Sequence, residues 1–90
     1  MPLKVVRLRA VAPFRLLVQF NDGTGGTFDC AELVRGRGEL VGALRDRDYF
    51  GRASLENGVP TWPNFFDISP EWLQAEMLKQ GVLSKLRTAP

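Results

Sequence analysis

Trp62-Pro63-Asn64-Phe65-Phe66-Asp67-Ile68-Ser69-Pro70-Glu71 is the stretch that decides the fold. A Trp of the kind that cores bury closes a strand. Pro63-Asn64 is turn chemistry, because Pro presets φ and Asn tolerates unusual backbone. Ser69 then offers a side-chain cap, Pro70 suits the first helical position, and Glu71 meets the positive end of the helix dipole. Trp72, Leu73 and Met77 give that helix an apolar side, and Gly81 interrupts it. The pattern predicts a helix over Ser69–Gln80 and a tail or loose helical turn over 82–90, which leaves one domain over 1–81.

Upstream, Ala53, Leu55, Pro60 and Trp62 surround Asn57-Gly58. A two-residue type I′ turn there pairs Leu55 with Pro60 and Ala53 with Trp62 on one face. Pro60 cannot donate to a neighbouring strand, so this segment is expected at a sheet edge.

Phe14, Leu16, Val18 and Phe20 alternate with Arg15, Leu17 and Gln19, the pattern of a half-buried strand. Asn21-Asp22-Gly23 follows. A three-residue loop with Gly23 left-handed puts Phe28 on the same side as Phe20, whereas a two-residue loop would put it outside. Gly25 and Gly26 weaken the returning strand and leave its backbone approachable. Before Phe14, the apolar parity changes at Val5-Val6, which predicts a bulge, and Val11-Ala12-Pro13 reads as a turn.

The middle of the chain is helical but short-winded. Asp29 can cap a helix, with Glu32 as an acidic capping-box partner, Leu33 and Val34 facing inward and Gly36 as the stop. Arg35-Gly36-Arg37-Gly38 reads as a surface loop. Leu40, Ala43 and Leu44 have helical spacing, and Asp46 caps a further turn that carries Tyr49 and Phe50. The fold class is therefore α+β. Two antiparallel hairpins, or one mixed sheet of about five strands, are covered on one face by the helices Asp29–Gly36 and Ser69–Gln80.

With 90 residues the chain makes one small domain. A domain of this size buries only about 60% of its unfolded surface, so pairing with itself or with a protein partner would add stability. A net charge of +2 is too small to imply nucleic acid by itself. The lone Cys30 precludes an internal disulfide, no apolar run has membrane-span length, and the N-terminus has no signal-peptide core. A cytoplasmic, non-membrane protein is the expectation. His is absent, which removes the commonest general base and metal ligand together. No zinc, calcium, phosphate-loop or dinucleotide pattern is present. The chain is thus expected to be no enzyme and to use no cofactor.

Phe20-Asn21-Asp22-Gly23, Phe28-Asp29, Leu44-Arg45-Asp46 with Phe50, Trp62-Pro63-Asn64, and Asp67-Ile68-Ser69-Pro70-Glu71 follow one another at characteristic spacing. In this order they resemble domain-of-unknown-function family 2442, a group of small, mostly bacterial proteins. The resemblance covers the chain up to about Leu73. It implies antiparallel hairpins with helices on one side and no established activity. Some members look like partners of small toxin-type proteins encoded beside them, so the likeness implies an antitoxin or adaptor role. Members usually carry Gly after the Trp-Pro-Asn and a small residue before the Asp. Here Phe65 and Phe66 stand at those positions. Gly could turn left-handed or admit a close neighbour there, and Phe65 is expected to do neither easily.

Two surfaces are candidates. The first is the Trp62–Asp67 corner, with Trp62, Phe65 and Phe66 as apolar anchors for a protein partner and Asn64 and Asp67 setting polar specificity. Its plain structural reading is that Trp62 fills the core, Asn64 closes the turn and Asp67 bonds the amides before the helix. Pairing along the strand edge near Pro60 is a further mode. The second is a basic sheet face of Arg7, Arg9 and Arg15, which would contact nucleic acid. A turn centred on Ala12 sets Arg9 opposite Arg15, a like-charge pair that calls for a nearby acid or anion. That face lacks the aromatics that nucleic-acid-reading sheets interleave. Cys30 is read as a buried packing residue, because Asp29 beside it raises its pKa and no His can serve it as a base.

Overall fold

Residues 2–86 are described by the structure, a computed structural model. Among them the order is β1 (Val5–Val11), β2 (Arg15–Phe20), β3 (Thr24–Asp29), α1 (Ala31–Val34), α2 (Glu39–Gly42), a 3-10 turn (Ala43–Arg45), α3 (Arg47–Phe50), β4 (Ser54–Glu56), β5 (Val59–Thr61), α4 (Pro70–Lys79) and β6 (Ser84–Lys85). The fold is α+β. Its described strands number six and form two sheets, β1-β2-β3-β6 and β4-β5, in which every pairing is antiparallel.

Register follows the apolar pattern. Leu16 faces Phe28 and Gln19 faces Gly25, which leaves Asn21-Asp22-Gly23 as the three-residue loop. Gly23 sits at φ +86° and its N–H donates to the Phe20 carbonyl at 3.2 Å. Leu16, Val18, Phe20 and Phe28 are therefore buried on one face, where they meet Phe50, Trp62, Leu73 and Met77. The parity change at the first strand is a bulge: Val5 pairs with Phe20 and Arg7 with Gln19, and Val6 is extruded. One buried face per strand is what pins such a register, since a one-residue slip would turn the whole apolar set outward.

Trp62 is the keystone of the core, only 1% exposed. Its ring lies 5.8 Å from that of Phe50 and 5.9 Å from that of Phe66. Its indole N–H donates to the Phe50 carbonyl at 2.9 Å, so the one polar atom of the side chain is satisfied in the dry interior. Asp46 caps α3 as its position implies, accepting from the N–H groups of Asp48 and Tyr49.

The expected first helix is one turn rather than two. Asp29 accepts from the Ala31 N–H at 2.9 Å, while Glu32 turns to Arg35 instead of closing a capping box. Gln80 makes two hydrogen bonds to the Asp29 backbone, and Arg45 donates to the Val34 and Gly36 carbonyls. Distant side chains thus satisfy backbone groups that a longer helix would have satisfied itself.

The Asn57-Gly58 turn has both residues at positive φ, and Leu55 faces Pro60 as the type I′ register requires. Pro60 lies in β5, an edge strand of the two-stranded sheet, as expected. Its carbonyl accepts from the Ile68 N–H at 3.0 Å, and Thr61 bridges to Asp67. The chain returning from the turn lies along the outer flank of β5 at these two points.

The segment after Gly81 is a correction to the expected tail or loose turn. Gly81 reverses the chain at φ +71°, and Ser84–Lys85 pairs with Gly25 and Thr24 of β3. A Cβ on Gly26 would strike the Val82 carbonyl oxygen. The approachable backbone of β3 is therefore occupied by the chain itself. Residues 87–90 of the expected tail lie outside the described residues.

Candidate functional site

The Trp62–Asp67 corner divides into scaffold and surface. The Trp62 carbonyl accepts from the Phe65 N–H and the Trp62 N–H donates to the Phe66 carbonyl, both at 2.9 Å. These two bonds close Pro63-Asn64-Phe65 as a three-residue loop. Asn64 locks it: its Oδ1 accepts from the Phe66 N–H at 3.0 Å and its Nδ2 donates to the Leu40 carbonyl at 3.1 Å. Trp62 and Asn64 therefore build the corner, and little of Trp62 is left for contact with a partner.

Phe65 corrects the expectation that it would resist a left-handed backbone. It occupies φ +68°, the third position of the loop, and its side chain is 87% exposed. The loop hydrogen bonds dictate that conformation, so the large side chain takes it in place of Gly. A left-handed L-residue costs roughly 1–2 kcal/mol, and a ring held in water recovers none of this by burial. Beside it, Phe66 is half-buried against Trp62. Asp67 is exposed, and its carboxylate makes no hydrogen bond among the described residues. The amide at the head of α4 is satisfied by the Ser69 hydroxyl instead, which accepts from the Trp72 N–H at 3.3 Å.

Next to the corner a groove runs between α1 and α4. One hollow of about 380 Å³ is lined by Leu33, Phe66, Asp67, Ile68, Ser69 and Trp72. A second of about 340 Å³ shares Leu33 and Trp72 and continues toward Asp29, Glu32 and Glu76. Trp72 is 43% exposed and stands edge-on to Phe28 at 6.0 Å. Reading Trp72 with Leu73 and Met77 as one apolar side missed this. Leu73 and Met77 are four apart and fully buried, whereas Trp72 belongs to the adjacent Trp72, Glu76, Gln80 row. The spacing carried that signal; the identity of the opposing Leu33 did not follow from it.

Arg7, Arg9 and Arg15 do share the outer face of the large sheet, opposite the core. Their mutual placement is corrected. The turn centres on Pro13, so Arg9 faces Leu17, and Arg15 lies between Val11 and Asp29 in register. The shift of one residue leaves Phe14 outside the strand, where its ring packs edge-on to Phe50 at 5.5 Å. No two arginines are directly opposed, and none of the three forms an ion pair among the described residues. Leu17, 45% exposed, interrupts the charge.

Cys30 is fully buried. Burial, with the Asp29 charge adding to it, pushes its thiol up to about 12, the reverse of what a nucleophile needs. Asp22 moves the other way. The Thr24 hydroxyl at 2.6 Å, Gln74 at 2.8 Å and the Thr24 N–H hold its carboxylate below the usual value. Those contacts tie the Asn21-Asp22-Gly23 loop to α4. No helix of the described residues is long and apolar enough to cross a membrane.

Neither a curated protein nor a solved structure matches the chain. A family model, described as a protein of unknown function (DUF2442), matches residues 5–77, from β1 through most of α4. The chain belongs to that family.

Proposed function

From membership of a family without an assigned activity, we propose that this protein is a non-catalytic interaction module that docks a protein partner through the Phe65 corner. The observation that carries this reading is Phe65 itself, 87% exposed on a left-handed backbone. A bulky side chain in that conformation is an outlier, and sites that keep such strain are commonly functional. Exposed aromatics on a rigid turn are also the residue type that dominates interface energetics. Trp62 and Asn64 act as the support that holds Phe65 out, with Phe66 and Asp67 flanking it. Masking of a toxin-type partner is the finer form of the proposal, and it rests on the family resemblance.

A second reading is supported by the arginines that share one open sheet face: contact with nucleic acid through Arg7, Arg9 and Arg15. Salt separates the two, because arginine–phosphate contacts weaken steeply as salt rises and apolar anchoring does not. The test is co-purification of the tagged chain from its native host at low and high salt, with Phe65→Ser and Arg9→Glu beside the wild type. The proposal expects a protein partner, retained at high salt though less tightly held, that Phe65→Ser loses and Arg9→Glu keeps. The opposite pattern overturns it.

A further inference from the structure

We infer that the groove between α1 and α4 receives a basic amphipathic segment of a partner protein, an inference that rests on the interaction-module reading. The floor of the groove is apolar, built from Leu33, Phe66, Ile68 and the exposed flank of Trp72. Its rim is acidic: Asp67 at one end, Asp29, Glu32 and Glu76 at the other. No Lys or Arg lines either hollow. A chain whose net charge is +2 has thus gathered four carboxylates around its one groove-facing Trp. Glu32 and Glu76 have i,i+3 partners in Arg35 and Lys79, at 3.3 and 3.0 Å. Both basic side chains are largely exposed, and surface pairs of this kind are weak enough to exchange for an incoming cation. Asp29 and Asp67 have no ion pair among the described residues.

The chemistry of the occupant follows from that pairing. An apolar floor takes Leu-like or aromatic side chains, and the acidic rim requires Lys or Arg at both ends of the same segment. An acidic segment or a nucleic acid would meet like charge, so the groove also sets specificity by repulsion. Asp67 lines this groove and the hollow beneath Phe65 alike, so one bound chain can reach both.

The probe is a synthetic amphipathic Leu/Lys peptide titrated against the whole chain, with its Leu/Glu counterpart as control. Trp emission is the readout, because Trp72 is the solvent-facing one of the two Trp residues. The Leu/Lys peptide is expected to shift Trp72 emission to the blue and shield it from quencher. Affinity should fall about tenfold in Glu32→Lys/Asp67→Lys, which changes two exposed side chains and leaves the core intact. Equal binding of the Leu/Glu peptide overturns the inference. So does unchanged Leu/Lys binding to Trp72→Ala, read by titration calorimetry because the reporter Trp is gone, which would place the peptide elsewhere. A mass that doubles with concentration in the wild type and not in Leu33→Asp assigns the groove to a second copy and overturns it as well. A groove that ignores the peptide while Phe65→Ser still loses the partner sinks this inference alone. Retention of the partner by Phe65→Ser sinks the module reading.

Discussion

The chain makes the same turn twice, and the two copies differ most tellingly at the third loop position, Gly23 in one and Phe65 in the other. Phe20-Asn21-Asp22-Gly23-Thr24 and Trp62-Pro63-Asn64-Phe65-Phe66 both close with the third loop N–H donating to the carbonyl of the large aromatic that precedes the loop. In both, an Asp or Asn at the second loop position accepts from the N–H two residues on, at 3.0 Å. In both, the third residue is left-handed, at φ +86° for Gly23 and +68° for Phe65. The first copy is sewn into the molecule: Asn21 binds Pro2 and Lys4, and Asp22 binds Gln74 of α4. The second is anchored from beneath by Trp62 and Asn64 and presents a bare aromatic on top. One turn obeys local backbone preference and serves the fold. The other departs from it at Phe65, whose side chain is held in water.

The comparison breaks most easily at the floor. Trp62→Ala should destabilise the protein by about 3–5 kcal/mol through the lost burial and the cavity left behind. In a domain this small that is a large share of the total, so the thermal midpoint should collapse or no cooperative transition should remain. A loss below about 1 kcal/mol by denaturant titration would show that the second turn is not built on Trp62.

Gly23→Ala asks what the left-handed position costs by itself. No atom lies within 4 Å of the added Cβ, so crowding contributes nothing. The expected loss is about 1–2 kcal/mol from backbone conformation alone, read by chemical denaturation. A neutral result would remove the argument that Phe65 is strained.

Cys30 sharpens the comparison from outside, because it lies next to Asp29 at the corner that Gln80 secures. Its pKa is raised in the folded state above an ordinary value of 9.0. The unfolded chain therefore loses the thiol proton first, and stability falls as pH rises from about 9 toward 12. Between pH 8 and pH 10 the wild type should lose about 1.4 kcal/mol more than Cys30→Ala. Equal slopes for the two proteins would mean that the thiol is reached by water.

How much of this was legible in the sequence depends on the range of the interaction. The loop length at Asn21-Asp22-Gly23, the type I′ turn at Asn57-Gly58, the bulge at Val6 and the Ser69 cap are local, fixed by parity and turn chemistry within a few residues. The sixth strand was not, because Ser84–Lys85 has no pattern of its own and pairs only because Gly25 and Gly26 let another backbone come close. The one-residue error at the first turn came from counting Phe14 into β2, when its ring is drawn off to Phe50. At the candidate site, the burial of Trp62 could be read from its type. The left-handed backbone of Phe65 could not, since it depends on hydrogen bonds from Trp62 and a brace from Asn64 to Leu40, 24 residues away. Trp72 was half legible: its offset from the Leu73–Met77 row was visible, while the acids that surround it converge from β3, α1, α4 and the loop before α4.

The smallest expected effect is the most discriminating. Phe65→Gly should leave the protein as stable as the wild type or more so, by up to about 1 kcal/mol. Relief of the left-handed backbone favours the variant by roughly 1–2 kcal/mol, and the greater freedom of an unfolded glycine takes back about 0.4–1. Little burial is lost, because the ring is 87% exposed in the folded state. A residue kept for packing cannot behave this way, since removing it must lower stability. Denaturant titration therefore separates the two explanations by sign rather than by size. A fall of 1 kcal/mol or more would make Phe65 a structural residue whose ring covers its neighbours, and the two turns would then differ only in how each is held. An unchanged or raised midpoint would leave a phenylalanine that the fold does better without, and contact with another molecule would remain as the physical reason for its place.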